Sequence, residues 1–123
     1  MKQLAVAVAL LAFCATSASG ERDFDSGNAY QPGCRIVLSE ETPSDRMEAA
    51  QAMRCLTSVT VVLKMGPLLD QKSRFCEPSG ATIMQGLRVV MKFMDDHPAD
   101  THQDFIDLSI RALKAAWRCS NPK

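Results

Sequence analysis

Between Cys76 and Cys119 the chain carries two amphipathic helical patterns separated by a single break at His97-Pro98. A cysteine at each outer end of such a hairpin can bolt it shut. Ile83, Leu87, Val90 and Met94 recur at helical spacing. Thr82 followed by Gln85 is a capping-box pattern for the start of that helix. Pro98 cannot continue it and pushes residue 97 away from helical angles. Asp100, with Gln103 in the reciprocal position, is the expected cap of the next helix. There Phe105, Leu108 and Ala112 form one stripe, and Ile106, Ile110, Leu113 and Trp117 a second. Two adjacent stripes predict a helix that is central, or that faces both the core and a partner. Gly86 costs about 1 kcal/mol relative to alanine in a helix, which predicts a close helix contact there.

The N-terminus reads as a secretory signal: Lys2, an apolar run from Leu4 to Phe13, then small residues up to Gly20. Residues 1–20 are assigned to this peptide, with cleavage after Ala18 or Gly20. The run is too short to span a bilayer. Leu11-Ala12-Phe13-Cys14 is a weak lipoprotein box, because Phe13 stands where a small residue is wanted. The exported chain has about 100 residues, enough for one small domain with a modest core. It keeps Cys34, Cys55, Cys76 and Cys119. An even cysteine count in an exported chain predicts two disulfides, with three possible pairings. Cys34–Cys55 with Cys76–Cys119 is favoured, because each bridge then ties neighbouring helices. Either loop, once closed, restricts the unfolded chain by about 3–4 kcal/mol in the entropy model. A zinc site using these cysteines with His97 and His102 lacks the close ligand pairs that zinc sites use. The balance of charge is near zero, so no basic field exists for nucleic acid or an anionic membrane.

Residues 21–31 are polar and aperiodic, and are expected to form a flexible leader. Pro32 suits the first turn of a short helix carrying Cys34, Ile36, Val37 and Leu38. A second helix is expected from about Ser44 to Met65, capped by Thr42 or Ser44, with Ala49, Met53, Leu56, Val59 or Thr60, and Leu63 as its apolar stripe. The run Val59-Thr60-Val61-Val62 has strand propensity, but helical period continues on both sides of it. Gly66-Pro67 ends the helix. The expected fold class is all-α: a small, disulfide-stapled bundle of about four helices over residues 32–120.

Catalytic machinery is sparse. His97 and His102 lack a nucleophile partner, since the cysteines are expected to be oxidised and no Gly-x-Ser-x-Gly motif exists. Both are read as turn and helix-start residues, and the chain as a non-enzyme. Asp95, Asp96, Asp100, Asp104 and Asp107 lack calcium-loop spacing. The exported methionines are expected mainly at core-facing positions. No metal or other cofactor is expected. The loop from Met65 to Phe75 is the most distinctive exposed element. Lys64, Asp70, Gln71, Lys72 and Arg74 are its candidate partner-binding residues.

The order Cys76, Pro78, Thr82, Gln85, Val89-Val90, His97-Pro98, His102, Ala112-Leu113, Trp117 and Cys119 resembles the Rap/Tai immunity proteins, with Cys55 matching the cysteine of the preceding helix. The likeness covers roughly Cys34 to Cys119. Two departures stand out. Leu56-Thr57-Ser58-Val59 follows Cys55 where the family often has glycines around an aromatic. The ending is Trp117-Arg118-Cys119 instead of Phe-Pro-Cys. The resemblance implies a periplasmic antitoxin that binds and inhibits a peptidoglycan amidase effector of type VI secretion, occluding its active site, and a homodimer. The alternative reading is a small envelope or acid-stress chaperone, since such proteins are also short, helical, exported and disulfide-bonded.

Overall fold

The computed structural model describes residues 24–120. The expected signal peptide, its Cys14 and the first residues of the expected leader lie outside them. Four helices follow in order: α1 (Gly27–Ser39), α2 (Arg46–Met65), α3 (Ile83–Asp96) and α4 (Phe105–Ala116). Short 3₁₀ turns occupy Gly66–Leu68 and Pro98–Asp100. Among the described residues there is no strand, only an isolated bridge between Ser26 and Asp104. The all-α expectation holds.

α2 is the central rod. Asp45 caps it by accepting from the Glu48 N–H at 2.9 Å, and the Glu48 carboxylate reaches back to the Ser44 N–H and hydroxyl at 2.7 Å. The cap is therefore one residue past Ser44, and the Glu48 side chain bonds to Ser44, not to the N–H of the cap itself. The β-branched run stays helical, and Thr60 donates its hydroxyl to the Leu56 carbonyl. The inward face differs from the expected stripe. Cys55, Val59, Val62 and Leu63 are buried, whereas Ala49 and Met53 are exposed. The cause lies in α1. Cys34 is bonded to Cys55 with Cα atoms 5.3 Å apart, and both residues are fully buried. Gly33 lies so close to α2 that a Cβ there would fall 2.2 Å from the Gln51 carbonyl oxygen. This backbone-to-backbone approach and its adjoining bond set the rotation of α2.

α1 starts earlier than Pro32. Ser26 caps it through the Ala29 N–H, and Pro32 sits inside the helix. The expected leader thus gives up residues 26–31 to the folded unit. The reason is tertiary. The Gly27 and Asn28 N–H groups donate to the carbonyls of Gln103 and Thr101, and the Phe105 N–H donates to Asp25. A stack reinforces this seam. The Arg54 guanidinium lies 3.7 Å from the Phe24 ring centre and 4.0 Å from that of Tyr30, and Tyr30 stacks in turn on buried Phe105, also at 4.0 Å.

The same seam displaces the start of α4. Residues 101–104 are used in pairing with the N-terminal segment, so Asp104, not Asp100, caps the helix, accepting from the Ile106 and Asp107 N–H groups. Asp100 instead accepts from Arg111 and Gln103. Phe105, Leu108, Ala112 and Leu113 are buried, while Ile106 faces out. α3 has the full Thr82/Gln85 capping box and buries Leu87, Val90, Met91 and Met94. At Gly86 a Cβ would lie 2.9 Å from Leu63 of α2, the close contact expected from its glycine. Cys76 is bonded to Cys119 with Cα atoms 4.9 Å apart.

The crossing at Gly33 makes a direct prediction. Gly33→Ala forces α1 away from the Gln51 carbonyl and should cost about 3 kcal/mol, near the upper end for overpacking. A thermal melt followed by circular dichroism should show a fall of more than 10 °C, taking about 4–8 °C per kcal/mol for a domain of this size.

Candidate functional site

The loop after α2 is exposed but firmly anchored at both ends. At its start, Gly66 accepts the edge of Phe75: a Cβ on Gly66 would lie 2.5 Å from that ring. Phe75 is buried and meets Trp117 at 6.5 Å between ring centres. The next residue, Cys76, donates its N–H to the Trp117 carbonyl and carries the bond to Cys119. On the far side, Lys114 of α4 donates to the Lys72 carbonyl. A short loop is thus pinned by a ring, a disulfide and a lysine.

Of the five residues expected to meet a partner, two build the loop instead. Asp70 accepts from the Ser73 N–H at 2.8 Å, and its own carbonyl accepts from the Ser73 and Arg74 N–H groups. Hydrogen bonds to its carboxylate, led by the Ser73 N–H and then the Ser73 side chain, hold the Asp70 carboxyl below its ordinary range. Arg74 turns back to the Leu69 carbonyl. Lys64, Gln71 and Lys72 point no side-chain hydrogen bond at the protein and are exposed.

The apolar part of this surface escaped sequence reasoning. Leu68, on the 3₁₀ turn, is 83% exposed. It continues a line of exposed residues on α2: Met47, Met53, Val61 and Met65. By the helical repeat Met53 lies opposite the face of Cys55, Val59 and Val62, Val61 lies on the outward side, and Met47 and Met65 flank the buried face. The methionines divide accordingly. Met91 and Met94 are in the core, but Met47, Met53 and Met65 are on the surface, against the expectation of mainly core positions. The missed signal was a second apolar series on α2, offset from the first. Choosing which series faces inward required knowing where Cys55 is tied.

The histidines are occupied locally. His97 ends α3 with its Nδ1 2.7 Å from the Phe93 carbonyl and its ring stacked on Phe93. His102 precedes α4, not within its first turn, and its Nδ1 lies 2.9 Å from the Ala99 carbonyl. Each Nδ1–H closes a turn. Among the described residues, no group of three His, Cys, Asp or Glu side chains is placed to hold a metal ion. The acidic residues are engaged as well: Asp95 with Arg35, Asp96 with Lys92, and Asp100 with Arg111.

The family model of the Rap1a immunity proteins matches residues 9–119. The chain belongs to this family. No curated protein and no solved structure matches it. Membership in the Rap1a immunity proteins makes a secreted effector the implied partner. The two disulfides of this Rap1a-family chain suit an oxidising compartment. No helix among its described residues is long and apolar enough to cross a membrane.

The Asp70 turn is readable by NMR. A carboxyl held below its ordinary value contributes order that is full above that value and is lost as pH falls through the depressed one. The Ser73 amide resonance should therefore titrate with a midpoint below 3.8. In Asp70→Asn this titration should vanish, and the Ser73 amide should exchange faster with solvent.

Proposed function

We propose that this chain is a periplasmic immunity protein that binds and inhibits a peptidoglycan amidase delivered by type VI secretion. The observation that carries the reading is the Gly66–Phe75 loop in a chain of the Rap1a immunity family: it presents Leu68 outward while its base is locked. An enzyme cleft is concave, and a plug for it must project and keep its shape. A loop ordered before binding loses less entropy on docking than a free one. Leu68 is the apolar tip, with Lys64, Gln71 and Lys72 as its polar rim. Asp70 and Arg74 shape the loop, and their loss weakens binding indirectly.

The exposed line of Met47, Met53, Val61 and Met65 is assigned to a second copy of the chain. Pairing this face of α2 with itself, antiparallel, buries the apolar side chains and leaves the loop at the end of each α2 free for the effector. Thioether side chains repack readily against one another, which suits such a seam.

The test is direct. The purified protein should co-elute with a candidate amidase effector from its gene neighbourhood and abolish that enzyme's activity on peptidoglycan. Absence of both binding and inhibition would sink the proposal. Leu68→Asp should weaken binding by at least about 2 kcal/mol, the range of a buried interface anchor, with the melting temperature unchanged. Val61→Glu should halve the mass measured by light scattering and leave the loop intact.

A further inference from the structure

Beyond the loop, on the other side of Trp117, the structure has a cavity of about 320 Å³. Its walls come from the Pro78–Ala81 turn, the first two turns of α3 and the Trp117 side chain. The turn is closed by the Ala81 N–H donating to the Pro78 carbonyl at 3.0 Å, with Gly80 in the left-handed region at φ 82°. The bond from Cys76 to Cys119 ties the two sides together, since Pro78 and Trp117 each stand two residues from one of its cysteines.

The lining has a consistent chemistry. Pro78, Val89 and Trp117 are apolar, and Arg88 is the sole charged residue. No carboxylate lines the cavity. Arg35, Arg54 and Arg111 are each paired with an aspartate, Asp95, Asp25 and Asp100 in turn, whereas Arg46 of α2 has no ion pair among the described residues. Among the described residues Arg88 has neither an ion pair nor a hydrogen bond, although it stands on a helix that carries Asp95 and Asp96. Gln85 spends its side-chain oxygen on the Thr82 N–H. Its amide N–H groups are left to donate. The Trp117 indole N–H likewise has no acceptor within the described residues. The cavity therefore offers donors and a cation above an apolar wall, and no ionised acceptor.

We infer that this cavity is a second recognition site, which receives a glutamate or aspartate side chain, with an apolar neighbour, from a loop of a protein partner. An unpaired guanidinium beside apolar surface favours a carboxylate, which it can take through two N–H groups at once. The volume, about 320 Å³, accommodates about two side chains and is at the lower end of the range of ligand pockets. Trp117 also links the site to the loop, because its ring meets Phe75 at the loop's base. The inference deepens the immunity reading by giving the partner's chemistry at this point: an acidic segment beside the one that the loop enters.

Trp117 is the only tryptophan in the chain, so its fluorescence reports on this cavity and on the loop base it touches, and the Arg88→Gln variant separates the two. The probes are N-acetyl-Leu-Glu-Leu-amide and its uncharged counterpart, N-acetyl-Leu-Gln-Leu-amide. The acidic peptide should give a saturable change in Trp117 emission. The uncharged one should bind at least about tenfold more weakly, the loss expected for a charge-assisted hydrogen bond. Arg88→Gln, at an exposed position, should erase the preference while the thermal melt stays unchanged. The inference is overturned by any of three results: no saturable response to the acidic peptide, equal binding of both, or a preference that persists in Arg88→Gln. The titration needs no effector. Failure here with successful amidase inhibition removes the cavity alone, whereas peptide binding without inhibition removes the amidase reading and keeps the cavity.

Discussion

The contact between Gly33 and the Gln51 carbonyl, with the buried Cys34–Cys55 bond beside it, determines how the rest of the molecule is arranged. Two helices that meet backbone to backbone have little freedom to rotate about their axes. Once Cys55 is held inward, Val59 and Val62 follow it by the helical repeat, and α3 and α4 pack on the face they define. Gly86 makes the next close approach, against Leu63, which brings α3 to the same side. The outward face of α2 is fixed by the same contact. Met47, Met53, Val61 and Met65 are on the surface because Cys55 is not.

The second disulfide has a different task. Cys34–Cys55 is inside the core, while Cys76–Cys119 closes the edge of the hairpin where Trp117, Phe75 and the Pro78–Ala81 turn meet. On one side of Trp117 this edge supports the Leu68 loop. On the other it walls the Arg88 cavity. Both the loop and the cavity therefore rest on one cross-link and one aromatic ring. A domain of this size has few apolar residues with which to hold a protruding surface in shape, and covalent closure stands in for a larger core.

The hairpin was the most legible part. The Thr82/Gln85 capping box, the break at His97-Pro98 and the close contact at Gly86 are local or carried by one residue type, and each appears in the structure as expected. The errors share one origin. Asp100 has the chemistry of a cap and Gln103 the right spacing, yet α4 starts at Phe105 because the carbonyls of residues 101 and 103 are taken by the N–H groups of Asn28 and Gly27. Residues 26–31 look like a leader because their order comes from that seam and from the Arg54 stack, not from their own pattern. At the candidate site, the charged residues of the loop stood out in the sequence, but Asp70 and Arg74 proved to be its internal supports. Leu68 and the α2 methionines did not stand out, since apolar residues on a helix are ordinarily assigned to the core.

By itself the sequence determined the helical class, the two helices of the hairpin and their break, and the family likeness. These depend on short-range periodicity, capping chemistry and residue order, which need no knowledge of distant contacts. Only the tertiary structure decided which side of α2 faces inward, where α1 and α4 begin, which loop residues support and which project, and that Arg88 and Trp117 line one cavity. Each of those is settled by groups far apart in the chain competing for the same hydrogen bond or the same buried volume, and a local pattern carries no record of which one wins.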